Sequence, residues 1–286
     1  MPVYNGERYL KDAIDAVLLQ TMTDFELIIS DNASNDGTEE ICRDIAKLDR
    51  RIRYYRNSEN LGAARNYNKV FEKARGIYFR WNNADDLIEP RLHERCADVL
   101  DNNIDAVLAY GKTIIIDDLG NQIETYDDNL DLQQSLASDR FIEFYKRIRL
   151  TNVVFGLMRV TAMRKTNIFG DGTLPAVDYK FMAELALQGK FIEIPEVLFY
   201  RRMHPASSSW DRKDNERQQK FWQAKIGEFK LPETRLHVSH LKSIYRLETS
   251  SSEKVRLTLY IAKRLYFKKK KIAEELYKYI CSLFGR

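Results

Sequence analysis

Over residues 1–120, short apolar runs alternate with stretches of helical periodicity, and several of the runs empty directly into a polar cluster. No other feature constrains the chain as much, because this alternation demands an α/β fold with a largely parallel sheet. Residues 7–20 set Leu10, Ile14, Val17 and Leu18 at helical spacing. FELIIS at 25–30 reads as a buried strand, the turn DNASNDG follows, and Asp36 is placed to cap the helix TEEICRDIAKL. IRYYRN at 52–57 is the next strand, and LGAARNYNKVFEKARG is a helix expected to close on Gly76. IYFRW at 77–81 runs into NNADD, Pro90 opens a helix through Leu100, and AVLAYGKTIII at 106–116 is a further strand.

Beyond Asp117 the pattern loosens into a polar hairpin and loop, then a helix at 139–149 and a strand NVVFGLMRV. VDYKFMAELALQGK is a helix closed by Gly189, and FIEI and VLFYRRM read as two short strands on either side of Pro195. From Asp211 onward helices with basic faces are expected.

Charge divides the chain. Residues 201–286 carry 21 Lys/Arg against 9 Asp/Glu, whereas the first 200 carry 25 against 33, so the net +4 is +12 set against −8. Opposite signs at the two ends suggest two jobs: an acidic body able to use a metal and a basic tail facing something anionic. No run of about 18 apolar residues occurs, and the basic-then-apolar start of a signal peptide is missing. Cys42, Cys96 and Cys281 are far apart without ligand spacing, which fits buried thiols in a reducing cytoplasm.

In open α/β sheets ligands bind beyond the carboxyl ends of strands. Three such ends are strongly polar here: Pro2-Val3-Tyr4-Asn5, Asp31-Asn32-Ala33-Ser34 and Asn82-Asn83-Ala84-Asp85-Asp86. There is no GxGxxG and no P-loop. Asp85, Asp86 and the Asn83 amide supply hard oxygens suited to Mg²⁺ or Mn²⁺, although an isolated pair of this kind also reads as a polar turn.

These runs, PVYNGERYL, DFELIISDNASNDGTEEI, RIRYYRNSENLGAARNYN and ARGIYFRWNNADD, resemble glycosyltransferase family 2. A second block from Phe155 to Ser209 resembles the catalytic and closing segments of the same family. The resemblance implies a GT-A, Rossmann-like fold with a mostly parallel mixed sheet flanked by helices. It implies a catalytic domain at 1–209, with a nucleotide-sugar half at 1–118 and an acceptor half at 119–209. Residues 210–286 would form a basic helical extension.

The resemblance also assigns roles. Tyr4 would stack on uracil, Pro2 and Val3 would offer backbone contacts, and Asp31 and Asn32 would read the base edge. Arg65, Asn83 and Ala84 would lie at the nucleotide. Asp85, then Asp86 and His204, would hold Mn²⁺ or Mg²⁺. Asp178 would be the general base of an inverting transfer, with Val177 standing where the family has an acid. Arg201 and Arg202 could bind phosphate, and Phe155-Gly156 would line the acceptor pocket. The strand leading into PVYN would lie inside the sheet, so Met1 is expected to be an internal methionine with an apolar run before it.

The implied reaction moves a sugar from a nucleoside diphosphate, UDP by expectation, to a surface-glycan or lipid-linked acceptor. The alternative is an inactive member acting as a nucleotide-sugar or glycan scaffold, since Asn83 and Val177 replace acids. Nucleotidyl transfer would want a glycine-rich basic loop, and Asn5-Gly6-Glu7-Arg8 is a poor one. Residues 253–284, with Ile272, Leu276, Ile280 and Leu283 in one stripe, read either as a helix on an anionic membrane or as one docked on the catalytic domain. The expected location is therefore the cytoplasm, at the inner face of the plasma membrane if the helix is membrane-bound. No nucleic-acid module is visible.

Overall fold

The strand expected at 25–30 is buried at every position, which requires cover on both faces. In the computed structural model, which describes residues 1–174, 176–207, 220–222 and 231–283, that cover is present. β1 (Pro2–Val3) leads into α1 (Glu7–Leu18), whose Tyr9, Leu10, Ala13, Ile14 and Val17 form the inward stripe. β2 (Leu27–Asp31), α2 (Thr38–Leu48) and β3 (Ile52–Arg56) follow, then α3 (Ala63–Glu72). The three strands form a parallel sheet in the order β1-β2-β3. Among the described residues β1 bonds β2 alone, so it ends this ladder; the expected interior place is not what its hydrogen bonds show. Asp36 does serve the start of α2, accepting from the Thr38 amide at 3.1 Å. α3 ends on Lys73 in a right-handed conformation, so Gly76 is not its cap.

The second sheet is mixed. β4 (Tyr78–Phe79), β5 (Leu87–Ile88), α4 (Leu92–Asn102) and β6 (Ala106–Ile116) follow in the chain. Then come β7 (Gln122–Tyr126), α5 (Ala137–Arg147), a 3-10 turn at Asn152–Phe155, β8 (Leu157–Arg159), α6 (Val160–Met163), α7 (Val177–Gln188) and β9 (Lys190–Arg202). The order is β4-β8-β6-β9-β5, with β7 returning along β6 as the expected hairpin. NVVFGLMRV is thus a turn and a three-residue strand, not one strand.

Pro195 does not split β9. The pairing jumps from Gly111–Ile194 to Lys112–Val197, so Pro195 and Glu196 sit in a bulge where no ladder donor is required. Gly111 makes room for it: a Cβ there would meet Glu196 O at 2.8 Å and Leu198 Cβ at 2.6 Å.

Three helices complete the described chain: α8 (Pro232–Arg246), α9 (Ser251–Phe267) and α10 (Lys269–Leu283). Leu257 and Ile261 of α9 are fully buried, and Arg256 reaches Asp139 of α5 at 2.6 Å. The single helix expected over 253–284 is therefore two, and α9 is docked on the α/β body. Of the stripe on α10, Leu276 and Ile280 are exposed, and Tyr266 and Phe267 are exposed just before it. Most of the expected helical region at 211–230, and the side chain of Leu283, lie outside the described residues. No helix among the described residues is long and apolar enough to cross a membrane.

Candidate active site

The carboxyl ends of β1 and β2 are tied together by short polar bonds. Asn5, in a left-handed conformation (φ 51°), accepts from the Asn35 amide at 2.9 Å and donates its own amide to Ser34 Oγ at 2.9 Å. Gly6 abuts the loop after β4: a Cβ there would stand 3.4 Å from Ala84. Pro2 and Val3 are buried, whereas the Tyr4 ring is half exposed and open to stacking.

Asp31 and Asn32 are turned inward. Asp31 accepts from the Ser34 amide and from the Tyr54 hydroxyl, each at 2.8 Å. Asn32 Oδ1 accepts from the Leu61 amide at 3.0 Å and from Asn57 at 3.1 Å, while its Nδ2 donates to Asn60 at 2.8 Å. The side chains expected to read a base edge are thus each hydrogen-bonded within the protein. Arg65 is exposed on α3.

A buried amide network beneath them was not anticipated. Asn66 accepts from Ser30 Oγ at 2.7 Å and from Asn57 at 3.0 Å, and donates to Ser30 O at 2.8 Å. It fastens α3 to β2 and satisfies polar groups that burial would otherwise strand. Four scattered asparagines carry no periodicity, so only the density of Asn in RNSENLGAARN hinted at it.

Trp81, fully buried, anchors the NNADD loop. Its indole donates to Tyr67 O at 3.1 Å, and its ring lies 4.7 Å from Phe169 and 5.4 Å from Phe181. Beyond it Asp85 Oδ2 stands 3.0 Å from His204 Nε2, and the imidazole packs 4.9 Å from the Tyr9 ring. The carboxylate oxygen is a hard donor of the kind that Mn²⁺ and Mg²⁺ take, and the imidazole nitrogen beside it is better matched to Mn²⁺ than to Mg²⁺. Among the described residues no three His, Cys, Asp or Glu side chains converge, so an ion held here would draw its remaining ligands from a bound diphosphate and water.

Asp86 does not join that pair. Its Oδ1 accepts from the Arg202 amide and its Oδ2 from Asn83 Nδ2, each at 2.8 Å. Burial, with the Asp85 carboxylate beside it, pushes its pKa up to about 7. Asn83 is equally committed, accepting from the Tyr67 hydroxyl. Arg202 is no phosphate ligand either: its guanidinium donates to the carbonyls of Asp85, Asp117 and Asp118 and stacks 4.7 Å from the Tyr9 ring. It clamps the loop that carries Asp85.

Asp178 sits in the first turn of α7, two residues after Ala176, which caps the helix in a left-handed conformation (φ 52°). Such strain in a residue with a Cβ persists only where its surroundings impose it. The Thr151 side chain beside the Asp178 carboxylate and the charge of Arg201 both favour its ionised form. Burial still outweighs these and raises its pKa, which favours proton acceptance. The same Arg201 charge bears on Asp86 and Asp128, so one guanidinium serves three carboxyl groups. Phe155 stacks on Phe199 at 5.4 Å. Gly156 is needed for its approach to β6: a Cβ would stand 2.7 Å from Ala109 O.

Comparison with known proteins gives a consistent result. The family model for glycosyl transferase family 2 matches residues 1–171. An uncharacterized glycosyltransferase of Haemophilus influenzae is 30% identical over 223 residues, 74% of this chain and 68% of that protein. Chondroitin synthase of Escherichia coli is 26% identical over 226 residues, 77% of this chain but 31% of that protein. Residues 1–349 of TarS from S. aureus, solved with UDP-GlcNAc, share the fold at a TM-score of 0.65 and 13% identity, over 93% of this chain and 71% of that one. The mannosyltransferase PcManGT from Pyrobaculum calidifontis, solved with GDP-Man and Mn²⁺, does so at a TM-score of 0.54 and 14% identity, over 100% and 86%. The fold is GT-A, with a helical C-terminal region.

Proposed function

The chain belongs to glycosyltransferase family 2, and on that premise we propose that it is an inverting transferase, moving a sugar from UDP to a hydroxyl of a surface-glycan or lipid-linked acceptor. One arrangement carries the reading. Arg201, next to last in β9, has a charge that bears on both Asp178 and Asp86, and two residues beyond the strand's last residue, Arg202, stands His204, paired with Asp85. Base, cation pair and phosphate-side loop are thereby gathered around one strand end.

In this reading Asp178 takes the proton from the acceptor hydroxyl as its oxygen attacks the anomeric carbon opposite the leaving diphosphate. Asp85 and His204 hold the cation, which when bound neutralises charge on that diphosphate. Tyr4 stacks on the base, while Asp86, Asn83 and Arg202 fix the loop. UDP rests on the UDP-GlcNAc complex of the TarS fold and on the family; a glycan acceptor rests on the kinship with chondroitin synthase.

Asp178→Asn tests it, with hydrolysis of a UDP-sugar panel in Mn²⁺ as the assay and UDP calorimetry alongside. Turnover should fall by about 10²–10⁴-fold with UDP affinity kept. Full turnover in the variant would remove Asp178 from the chemistry. A silent UDP titration of the unaltered protein would favour the scaffold reading instead.

A further inference from the structure

α9 is apolar on two opposite faces. Its inner face buries Leu257 and Ile261 against the α/β body. Its outer face carries Val255, Leu259, Ala262 and Tyr266, and the spacing i, i+4, i+7 and i+11 aligns them along one side of the helix. Val255, Leu259 and Tyr266 are 58%, 65% and 63% exposed, and Ala262 is exposed among them. Phe267, the last residue of the helix, is exposed too, its ring 5.8 Å from that of Tyr266. Single exposed apolar residues are ordinary, but an aligned row of four, about 17 Å long at the helical rise, marks a surface that meets a partner. The spacing in the sequence pointed to the stripe on α10; this second row, on α9, becomes visible only once the inner face is seen to be docked.

The charges around the row select the partner. Lys263 stands one turn before Phe267, and Lys269 and Lys270 follow it closely. All three are exposed and form no ion pair among the described residues, whereas Lys268 and Lys271 both reach Glu233. Lys269 Nζ lies 4.4 Å from the centre of the Tyr266 ring. Residues 251–283 carry 9 Lys/Arg against 3 Asp/Glu, a net +6. A second copy of the chain is a poor occupant, because in a two-fold contact the same patch meets itself and sets these lysines against their own copies. A neutral apolar surface leaves the lysines unanswered. A bilayer with anionic headgroups answers both, taking the apolar row at the acyl boundary and the ammonium groups at the phosphates.

We propose that the outer face of α9, with Tyr266, Phe267 and their flanking lysines, docks on an anionic lipid bilayer, the helix lying in the plane of the membrane. This surface is independent of the transfer reaction proposed above, since α9 carries none of the residues placed in it.

The test is flotation of the full chain with vesicles of phosphatidylcholine alone and of an equal mixture of phosphatidylcholine and phosphatidylglycerol. The chain should bind the anionic vesicles, leave the neutral ones and come off in high salt. Leu259→Ser with Tyr266→Ser should weaken binding about tenfold or more through lost apolar burial. Lys263→Gln with Lys270→Gln should weaken it by about tenfold or more through lost charge. All four side chains are exposed, so melting temperature should be kept in both variants. Leu48→Ser, which removes an exposed leucine from α2, should leave binding unchanged. Equal binding to both vesicles, no binding to the anionic ones, binding unchanged in both double variants, or an equal loss from Leu48→Ser overturns the proposal. So does a dimer in light scattering that Leu259→Ser with Tyr266→Ser dissolves, since that gives the face to a second copy.

Discussion

Lys180 and Glu184 form an ion pair of 2.6 Å within α7, their side chains 6% and 3% exposed. Glu184 also accepts from the Asn167 amide at 3.0 Å and from Ser243 of α8 at 2.5 Å, so its carboxylate joins three parts of the chain. Glu184→Gln would leave a buried ammonium without its counter-charge. Urea unfolding should show a loss of about 3–5 kcal/mol. The double change Lys180→Met with Glu184→Leu should recover part of it, because the desolvation of both charges disappears together while the Asn167 amide and Ser243 hydroxyl lose their acceptor. A Gln variant as stable as the parent would show that the pair is solvated in solution.

The Asp85–His204 pair makes a prediction about metal. Asp85→Ala and His204→Ala should each abolish the gain in donor hydrolysis on adding Mn²⁺, and each should weaken Mn²⁺ binding by about tenfold or more. Asp86→Asn, by contrast, should lower stability before it changes the Mn²⁺ requirement, because both Asp86 oxygens are spent on Arg202 and Asn83. A stable Asp86→Asn protein with no Mn²⁺ response would reverse the two roles.

Asn83 stands where the family motif begins with an acid, and restoring that acid should do harm here. The Asn83 amide donates to Asp86 at 2.8 Å while its carbonyl accepts from Tyr67. Asn83→Asp trades that donor for a second carboxylate facing Asp86. We expect a loss of about 1–3 kcal/mol in thermal or urea unfolding, with no gain in turnover. Higher activity from Asn83→Asp would show that Asn83 weakens the site.

Asp128 supplies the pH dependence. Burial pushes its pKa up to about 7, with Glu193 and Asp127 adding to the rise and Arg201 opposing it. A folded-state value above the unfolded one means that the native state binds the extra proton between about pH 4 and 7. Its contribution is therefore present at low pH and lost as pH rises through that window. Asp128→Asn should remove the loss, so its stability relative to the parent should grow by up to about 1.4 kcal/mol for each pH unit crossed. Melting curves of the two proteins at several pH values in this window measure the difference directly. Curves that stay parallel would mean that Asp128 titrates normally.

Periodicity made the scaffold legible and left the site half hidden. β6 has the bounds that its apolar run suggests, and α7 closes at Gly189 as expected. Pro195 misled because a proline reads as a strand breaker, whereas the bulge between Gly111 and Lys112 needs no donor from it. The pairing of Asp85 with His204, 119 residues apart, follows from the resemblance but from no local pattern. Which of two adjacent aspartates faces outward depends on the Arg202 amide, and a chain read residue by residue does not reveal that bond. The asparagine network is a product of tertiary packing alone.

The bulge at Pro195 has one more effect. Arg201 and Arg202 are adjacent on β9 and so face opposite sides, one toward the carboxyl groups of Asp178, Asp128 and Asp86, the other into the loops around Asp85. A slip of one residue would exchange them, turning the guanidinium that clamps the Asp85 loop toward these three carboxyl groups and the other away from them. The irregular register beside Pro195 thus acts as an indexing notch, setting which of two identical side chains meets the carboxyl groups and which braces the loops.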